Sequence, residues 1–390
     1  MPDASQELLL YEVQTEGHHV GMLRSMTEEL LGAGWRLTLA LDQRPGAKAR
    51  LGEQMADLLT ETKVMAARDE RGWIHGRGGA ETVAFCQKQA GVKRVFLACL
   101  DEVASNCWRK AAMGWMPPAS LKGQFGGLYI RPRFLASSSL APNPWLKRLG
   151  FWRLVKGGWL RQVLFLDEYL TAELKARHPG EPFYFLPETY PAPKKVDRAL
   201  ARERLGVPPL ACVFLFYGGA YWRKRLDLAV AAMEALPADS QAFLLCLGRQ
   251  PDNATLARDL ERLCAAGRAR SLNRYVSLEE EELGFAACDF VLVPYEKHFG
   301  SSGVQNLAAT HGLPVVVSDE ELMGRRAREH GLGLLFQSGN VQALRACLEH
   351  AMRTGADERA KWSQAALKYA TSLTRAAFRE ALLRAVGTLP

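Results

Sequence analysis

Apolar residues along this chain follow two alternating rhythms. Short continuous runs, such as Leu8-Leu9-Leu10-Tyr11 and Phe243-Leu244-Leu245-Cys246-Leu247, have the length and composition of strands buried on both faces. Longer stretches between them repeat apolar positions at helical spacing, with Leu23, Leu30 and Leu31 on one core-facing side. In the first half the pattern predicts strands over 8–13, 36–41, 94–100, 162–165 and 183–186, with helices over 20–31, over 81–89 and between the last two strands. In the second half it predicts strands over 212–217, 243–247, 274–276, 289–293 and 314–317. Helices are expected there over 223–236, 254–266, 283–287 and 304–311, and from Val341 onward.

The stretch 187–199 has neither rhythm. It carries Pro187, Pro191 and Pro193 beside Lys194 and Lys195 and reads as a linker. Strand–helix alternation is the mark of a mostly parallel sheet covered on both faces, here twice over. The expected fold is α/β: an N-terminal Rossmann-like domain over 1–187, a linker over 188–199, a second Rossmann-like domain over 200–365, and a closing helix over 366–390 that can cross back to the first domain. A length of 390 residues suits two such cores. Two domains of this class imply a central cleft, with ligands outside the carboxyl ends of the strands.

Composition narrows the picture in three ways. No apolar run of about 18 residues occurs, so no membrane-spanning helix is expected. Glu7, Glu12, Glu16, Glu28 and Glu29 interrupt the start of the chain, which argues against a secretory leader and for a cytoplasmic protein. The eight cysteines include no C-x-x-C pair and sit mostly in apolar runs, as small core residues rather than zinc ligands or disulfides.

The net charge of +8 is unevenly spread. From Val103 to Leu166 there is no Asp or Glu, yet these 64 residues hold ten Lys and Arg and five of the nine Trp. Trp145, Leu149, Trp152 and Trp159, beside Lys147, Arg148, Arg153, Lys156 and Arg161, fit a basic amphipathic helix. Such a helix suits an anionic membrane surface, an anionic acceptor, or a Trp-rich core with basic side chains laid over it. Nucleic acid is not an expected partner, because no nucleic-acid-binding motif accompanies the charge.

Three loops after strands carry candidate chemistry. The first is Gly218-Gly219-Ala220-Tyr221-Trp222-Arg223-Lys224. Its glycines allow a sharp turn and close approach of a ligand. Cations at the start of the following helix oppose its dipole, an arrangement that a bound anion would reverse. The second is Pro294-Tyr295-Glu296-Lys297-His298-Phe299-Gly300-Ser301-Ser302-Gly303-Val304, ahead of a helix. Unpaired N–H groups and two hydroxyls there make an anion site suited to a diphosphate; an ordinary Ser cap on a tight turn is the alternative. The third is Gly17-His18-His19 after the first strand, where a His could donate a hydrogen bond to a substrate or leaving group. Adjacent histidines lack metal-ligand spacing on one helix face, so no metal is expected.

The order of these features resembles the GT-B retaining glycosyltransferases of family 4: a glycine loop with Arg-Lys, Leu247-Gly248, Cys288-Asp289 before a strand ending Pro-Tyr, a glycine-rich loop, and Gly-x-Pro-Val-Val over 312–316. The resemblance is good over 199–336 and weaker before it. It implies two Rossmann-like domains facing a cleft, a nucleotide-sugar donor held mainly by the second domain, and transfer without a metal or a separate cofactor. It assigns Lys224 to the donor diphosphate, with Arg223 standing in for a family arginine whose position is Gly219 here. Gly17, Gly218, Gly219, Gly248, Glu296, His298, Phe299, Gly300, Ser301, Ser302, Gly303 and Val304 are the expected donor-side residues. His18 and His19 are expected beside the transferred sugar, and Asp101, Glu102, Arg131 and Arg133 on the acceptor side.

One departure stands out. The family pair of glutamates around the glycine-rich loop is incomplete: Glu296 lies near the first position, and 305–307 holds no carboxylate. The expected activity is transfer from a nucleoside diphosphate sugar to a glycan or lipid-linked acceptor, with retention, as in polysaccharide biosynthesis. The alternatives are a GT-B sugar-nucleotide epimerase and a non-catalytic partner subunit. A dinucleotide oxidoreductase fits least, because the first glycine loop lacks G-x-G-x-x-G.

Overall fold

The computed structural model describes residues 6–16, 19–136 and 141–387. The chain divides into two compact units, Met1–Pro187 with Phe378–Pro390, and Glu188–Ala377. Unit 1 runs β1 (Glu7–Glu12), α1 (His19–Leu31), β2 (Arg36–Asp42), α2 (Pro45–Glu61), β3 (Lys63–Asp69), β4 (Gly72–Trp73), α3 (Ala80–Ala90), β5 (Arg94–Leu97), α4 (Asp101–Ala112), β6 (Phe125–Leu128), α5 (Arg133–Ala136), α6 (Pro142–Lys156), β7 (Leu160–Phe165), α7 (Glu168–Arg177) and β8 (Phe183–Phe185). Unit 2 runs α8 (Arg198–Leu205), β9 (Cys212–Tyr217), α9 (Leu226–Glu234), β10 (Ala242–Leu247), α10 (Ala254–Ala265), β11 (Ala269–Leu272), α11 (Leu278–Ala287), β12 (Phe290–Val293), α12 (Gly303–Thr310), β13 (Val315–Ser318), α13 (Glu321–His330), β14 (Gly333–Phe336), α14 (Val341–Arg353) and α15 (Ala356–Ala370). The last helix, α16 (Arg375–Val386), returns to unit 1.

The two sheets explain the apolar runs. In β1, Leu8 and Leu10 enter one core while Leu9 and Tyr11 enter the core on the opposite face. In β9, Val213 and Leu215 face one core and Phe214 and Phe216 the other. Both faces are covered by helices, so alternation vanishes and a continuous apolar run remains. The strand orders are β4-β3-β2-β1-β5-β6-β7-β8 and β11-β10-β9-β12-β13-β14. Apart from the antiparallel β3–β4 pair, neighbouring strands run parallel. Strand order reverses at β1/β5 and at β9/β12. At such points the loops part and leave a crevice. The loops of interest in each unit sit there.

Helix α16 completes the core of unit 1. Phe378, Leu382, Leu383 and Val386 are buried with Leu8, Leu10 and Leu23, and Arg379 pairs with the buried Glu29 of α1 at 2.8 Å.

Some elements differ from the sequence pattern. The expected strand over 274–276 is a loop; its Tyr275 is 90% exposed, and Ser277 forms a capping box with Glu280 at the start of α11. The neighbouring strand is β11, an edge strand reading Ala-Arg-Ser-Leu. The helix expected over 223–236 is a 3-10 turn at Trp222–Lys224 followed by α9, with Arg225 in the left-handed region at φ 54° between them.

The basic Trp-rich helix is also corrected. Helix α6 ends at Lys156, and Arg161 belongs to β7. Trp152 turns inward onto His178 and Phe183, and Trp159 lies half-buried near Lys122. Lys147 donates to Ser105, Arg148 to the Phe134 carbonyl and Arg153 to the Ala112 carbonyl. On this helix Trp145 and Leu149 are the exposed large apolar residues, and the loop after α4 adds Met113, Trp115 and Met116. Among the described residues no helix is long and apolar enough to cross a membrane, and the eight cysteines are free, five of them buried.

Candidate functional site

At the β9/β12 reversal, two glycines allow two loops to touch backbone to backbone. Gly218 follows β9 at φ 88°, and its N–H donates to the Leu247 carbonyl at 2.8 Å. Gly248 follows β10 at φ 129°, and a Cβ there would lie 2.5 Å from the Gly218 oxygen. Both positions need glycine for conformation as well as space.

The 3-10 turn then folds Lys224 back over this junction. Its Nζ donates to the Tyr217 carbonyl at 3.4 Å, lies 2.9 Å from where a Gly218 Cβ would be, and sits 5.5 Å from the Tyr295 ring centroid. Burial pushes the ammonium down from its usual range to about 8, and among the described residues no carboxylate offsets that loss of hydration. A desolvated cation without a counter-ion is a poor stabilising element and a good anion receptor.

Arg223 and Arg225 divide their tasks differently from the sequence expectation. The Arg223 guanidinium lies 5.9 Å from the ring of exposed Trp222, while its carbonyl accepts the Glu296 N–H at 2.9 Å. Arg225 holds the Glu296 carboxylate in a close ion pair and Asp227 at 2.9 Å. Glu296 is thus engaged with Arg225, a residue not singled out from the sequence; among three consecutive bases only the turn decides which one faces the acid.

The loop from Pro294 to Ser302 runs past the same place. Tyr295 is buried, and His298 packs on it at 5.1 Å with Nε2 3.2 Å from the Ser301 carbonyl. Phe299 is half-buried, and Gly300 turns the chain at φ 95°. Ser302 caps α12, its hydroxyl accepting the Gln305 N–H at 3.3 Å. Among the described residues the N–H groups of Ser302, Gly303 and Val304 meet no acceptor, as the first turn of a helix requires. The hydroxyls do not behave as expected. Ser301 Oγ is engaged by Glu188, Arg326 and Asn306, and Ser302 Oγ is the helix cap, so the free donors at this turn are backbone N–H groups. Position 306 is Asn, and both Gln305 and Asn306 are buried.

A groove of about 560 Å³ in unit 2 was not anticipated. Arg249, Gln250, Asn253, Asn273 and Arg274 are among its lining residues, and the Gln250 N–H donates to Asn273 Oδ1 at 2.8 Å. It follows β10 directly, so the Leu247-Gly248 signal could have marked it. A larger cavity, about 780 Å³, lies instead in unit 1 beside Lys93 and Gln124. These residues stand just before β5 and β6, the ends of parallel strands where α/β ligands do not bind.

In unit 1, Gly17 and His18 lie outside the described residues. His19 begins α1, with Nδ1 3.4 Å from the buried Glu12 carboxylate, which burial pushes upward in pKa. Asp101 accepts the N–H groups of Ile130 and Arg131 at 2.8 and 3.0 Å, and Glu102 accepts from Gln14. The Asp101 carboxylate therefore fixes backbone rather than standing free for an acceptor. A cavity of about 120 Å³ brings together His19, Asp101, Glu102 and Arg131 with Gln14 and Cys99. Arg133 is exposed on α5 and does not line it. Glu12, His19 and Cys99 hold their ligand-type atoms within 4.8 Å of one another, a spacing compatible with a metal ion.

Residues 197–369 match the family described as glycosyl transferases group 1. No curated protein matches the chain. Among solved structures, Anabaena HepE in complex with UDP aligns with a TM-score of 0.70 at 14% identity, covering 98% of this chain and 100% of that one. WaaG, a glycosyltransferase involved in lipopolysaccharide biosynthesis, aligns with a TM-score of 0.65 at 16% identity, covering 98% and 99%. Sucrose-phosphate synthase from Thermosynechococcus elongatus aligns with a TM-score of 0.68 at 15% identity, covering 97% and 98%. The fold is GT-B.

Proposed function

We propose that this GT-B protein, whose C-terminal unit is a group 1 glycosyltransferase domain, transfers a sugar from a nucleoside diphosphate sugar to a glycan or lipid-linked acceptor. The observation that carries this reading is Lys224, a desolvated ammonium without a carboxylate partner at the β9/β12 switch point. Nearby, the turn after Tyr295 ends in three unpaired N–H groups. A departing diphosphate gathers negative charge, and a preformed cation and dipoles aimed at it lower the barrier. The groove at Gln250 and Asn273, beyond Gly248, would receive the nucleoside. Uridine diphosphate is the first nucleotide to test, because the HepE structure contains it. Retention and metal independence are proposed on the family resemblance alone; the coupling constant of the product's anomeric proton and assays with a chelator test them.

The decisive measurement is calorimetric titration with uridine, guanosine and adenosine diphosphates. Micromolar binding of one of them is expected; millimolar or weaker binding of all three overturns the proposal. A ligand at 100 times its dissociation constant would stabilise the protein by about 2.7 kcal/mol, so thermal shift gives an independent readout.

The pH dependence has a definite sign. The Lys224 pKa is about 8 in the free protein, and a bound diphosphate favours the charged form. Affinity should therefore weaken as pH rises through 8 to 9, approaching tenfold per unit. Lys224→Arg, which does not titrate, should remove this slope. An equally steep decline in the variant would assign it to another group. In the free protein the unfolded chain binds the extra proton between about 8 and 10.5, so this site's contribution to stability rises with pH across that window.

The face formed by α4, α6 and the loop after α4 is proposed to rest on an anionic bilayer. From Val103 to Leu166 its segment lacks acids, and Met113, Trp115, Met116, Trp145 and Leu149 are exposed on it. Interfacial Trp beside basic residues suits an anionic lipid surface. Flotation with vesicles containing phosphatidylglycerol should carry the protein, and neutral vesicles should not. Trp115→Ala with Trp145→Ala should reduce the bound fraction at least threefold; binding that ignores lipid charge or these residues counts against the assignment.

A further inference from the structure

Beside the anion-binding turn lies a partly buried polar cluster that the proposed reaction does not use. Glu188 is the first residue of unit 2. One oxygen of its carboxylate accepts from Ser301 Oγ and, at 2.7 Å, from Asn306 Nδ2. The other accepts the Tyr190 hydroxyl at 3.2 Å. Arg326 of α13, only 2% exposed, donates to Ser301 Oγ at 2.6 Å. Asn306 Oδ1 accepts the Tyr369 hydroxyl of α15 at 3.1 Å, and its Nδ2 also reaches Ser301 Oγ at 3.1 Å.

The cluster brackets the turn. Ser301 immediately precedes the three unpaired N–H groups of Ser302, Gly303 and Val304, and Asn306 follows them by two residues. Both ends are tied to the same carboxylate oxygen. Ser301 cannot turn its hydroxyl outward without breaking bonds to Glu188 and Arg326, so the peptide planes beside it are held as well. Removing the carboxylate would take the shared acceptor from the half-buried Ser301 hydroxyl and the buried Asn306 amide, while Arg326 and Tyr369 remained. Half-satisfied buried networks rearrange, and the turn is the element free to do so.

We propose that Glu188 is a positioning residue for the donor diphosphate: through Ser301 and Asn306 it fixes the turn whose N–H groups receive the phosphates. The proposal rests on the donor-site reading above. It also means that a carboxylate from outside this loop does reach it, entering from the first residue of the unit rather than from positions 305–307.

The test compares uridine diphosphate with uridine, which lacks the phosphates. Glu188→Ala should weaken diphosphate binding at least tenfold while uridine affinity stays within twofold. Glu188→Gln keeps an acceptor oxygen in place and should recover most of the loss. Ser301→Ala cuts the same link from the loop side, with Glu188 intact, and should shift the affinity ratio in the same direction; it decides the matter if Glu188→Ala does not fold. A ratio unchanged in the folded variants, or equal losses for both ligands, overturns the positioning role. A wild-type protein that does not prefer the diphosphate over uridine overturns the donor-site reading itself, and the positioning role with it.

Discussion

Replacing Lys224 by alanine is expected to lower turnover at saturating donor by two orders of magnitude or more. Loss of one donor aimed at developing negative charge costs about 2.7–4 kcal/mol of barrier in comparable sites, and each 1.36 kcal/mol is a factor of about ten. The usual objection to such a variant, that it merely unfolds the site, has a counter-argument here. In the free protein the ammonium is desolvated and has no carboxylate partner among the described residues, so its removal relieves a cost. Thermal stability without ligand should be unchanged or slightly higher, while the stabilisation brought by nucleoside diphosphate should largely disappear. Steady-state kinetics and a melting curve on the same preparation read both. Turnover within threefold of the unsubstituted protein would remove Lys224 from the mechanism.

The second large effect is expected at Gly248. Alanine there adopts φ 129° only under strain, and its Cβ would lie 2.5 Å from the Gly218 carbonyl oxygen. Backbone strain of this kind costs about 1–3 kcal/mol, and here the clash adds to it. Relief requires the loop after β10 to move away from the loop after β9, taking with it the contacts of Gly218 and Ala220 to the Leu247 and Arg249 carbonyls. Lys224 lies on that second loop, so binding should fail together with stability. A fall in melting temperature of several degrees is expected, at about 2–4 °C per kcal/mol for a unit of this size, along with loss of diphosphate binding in calorimetry. An unchanged melting temperature with intact binding would show that the loops separate freely.

Which elements the sequence revealed depended on where they sit in the sheets. Central strands such as β1, β9 and β10 are buried on both faces and announce themselves as apolar runs. Strands at or next to an edge do not: β3, beside the two-residue edge strand β4, reads Lys-Val-Met-Ala-Ala-Arg-Asp and is half-exposed, and the edge strand β11 carries Arg270 and Ser271. Strand β6, with Gly126 and Gly127 where neighbouring backbones press close, has too few side chains to show a rhythm. Helix α13 hides its core residues, Leu322, Met323 and Ala327, among charges. At the site, glycines and helix starts were readable because their roles are local. The fates of Ser301 and Glu296 were not, because Glu188 approaches Ser301 from more than a hundred residues away and Arg225 reaches Glu296 from the loop after the neighbouring strand β9.

The return of α16 to unit 1 carries a consequence for how the protein is made. Residues up to Pro187 leave the ribosome long before Phe378, Leu382 and Leu383, which their core includes. The interval is about 190 residues, or roughly 10–40 s of synthesis at ordinary rates. Throughout it the nascent first unit carries an open apolar seam where α16 will lie, and the second unit waits almost as long, since its own core includes Tyr369 and Leu373. The first half of the chain therefore does not close its core ahead of the second: both cores receive their last residues within the final stretch of synthesis.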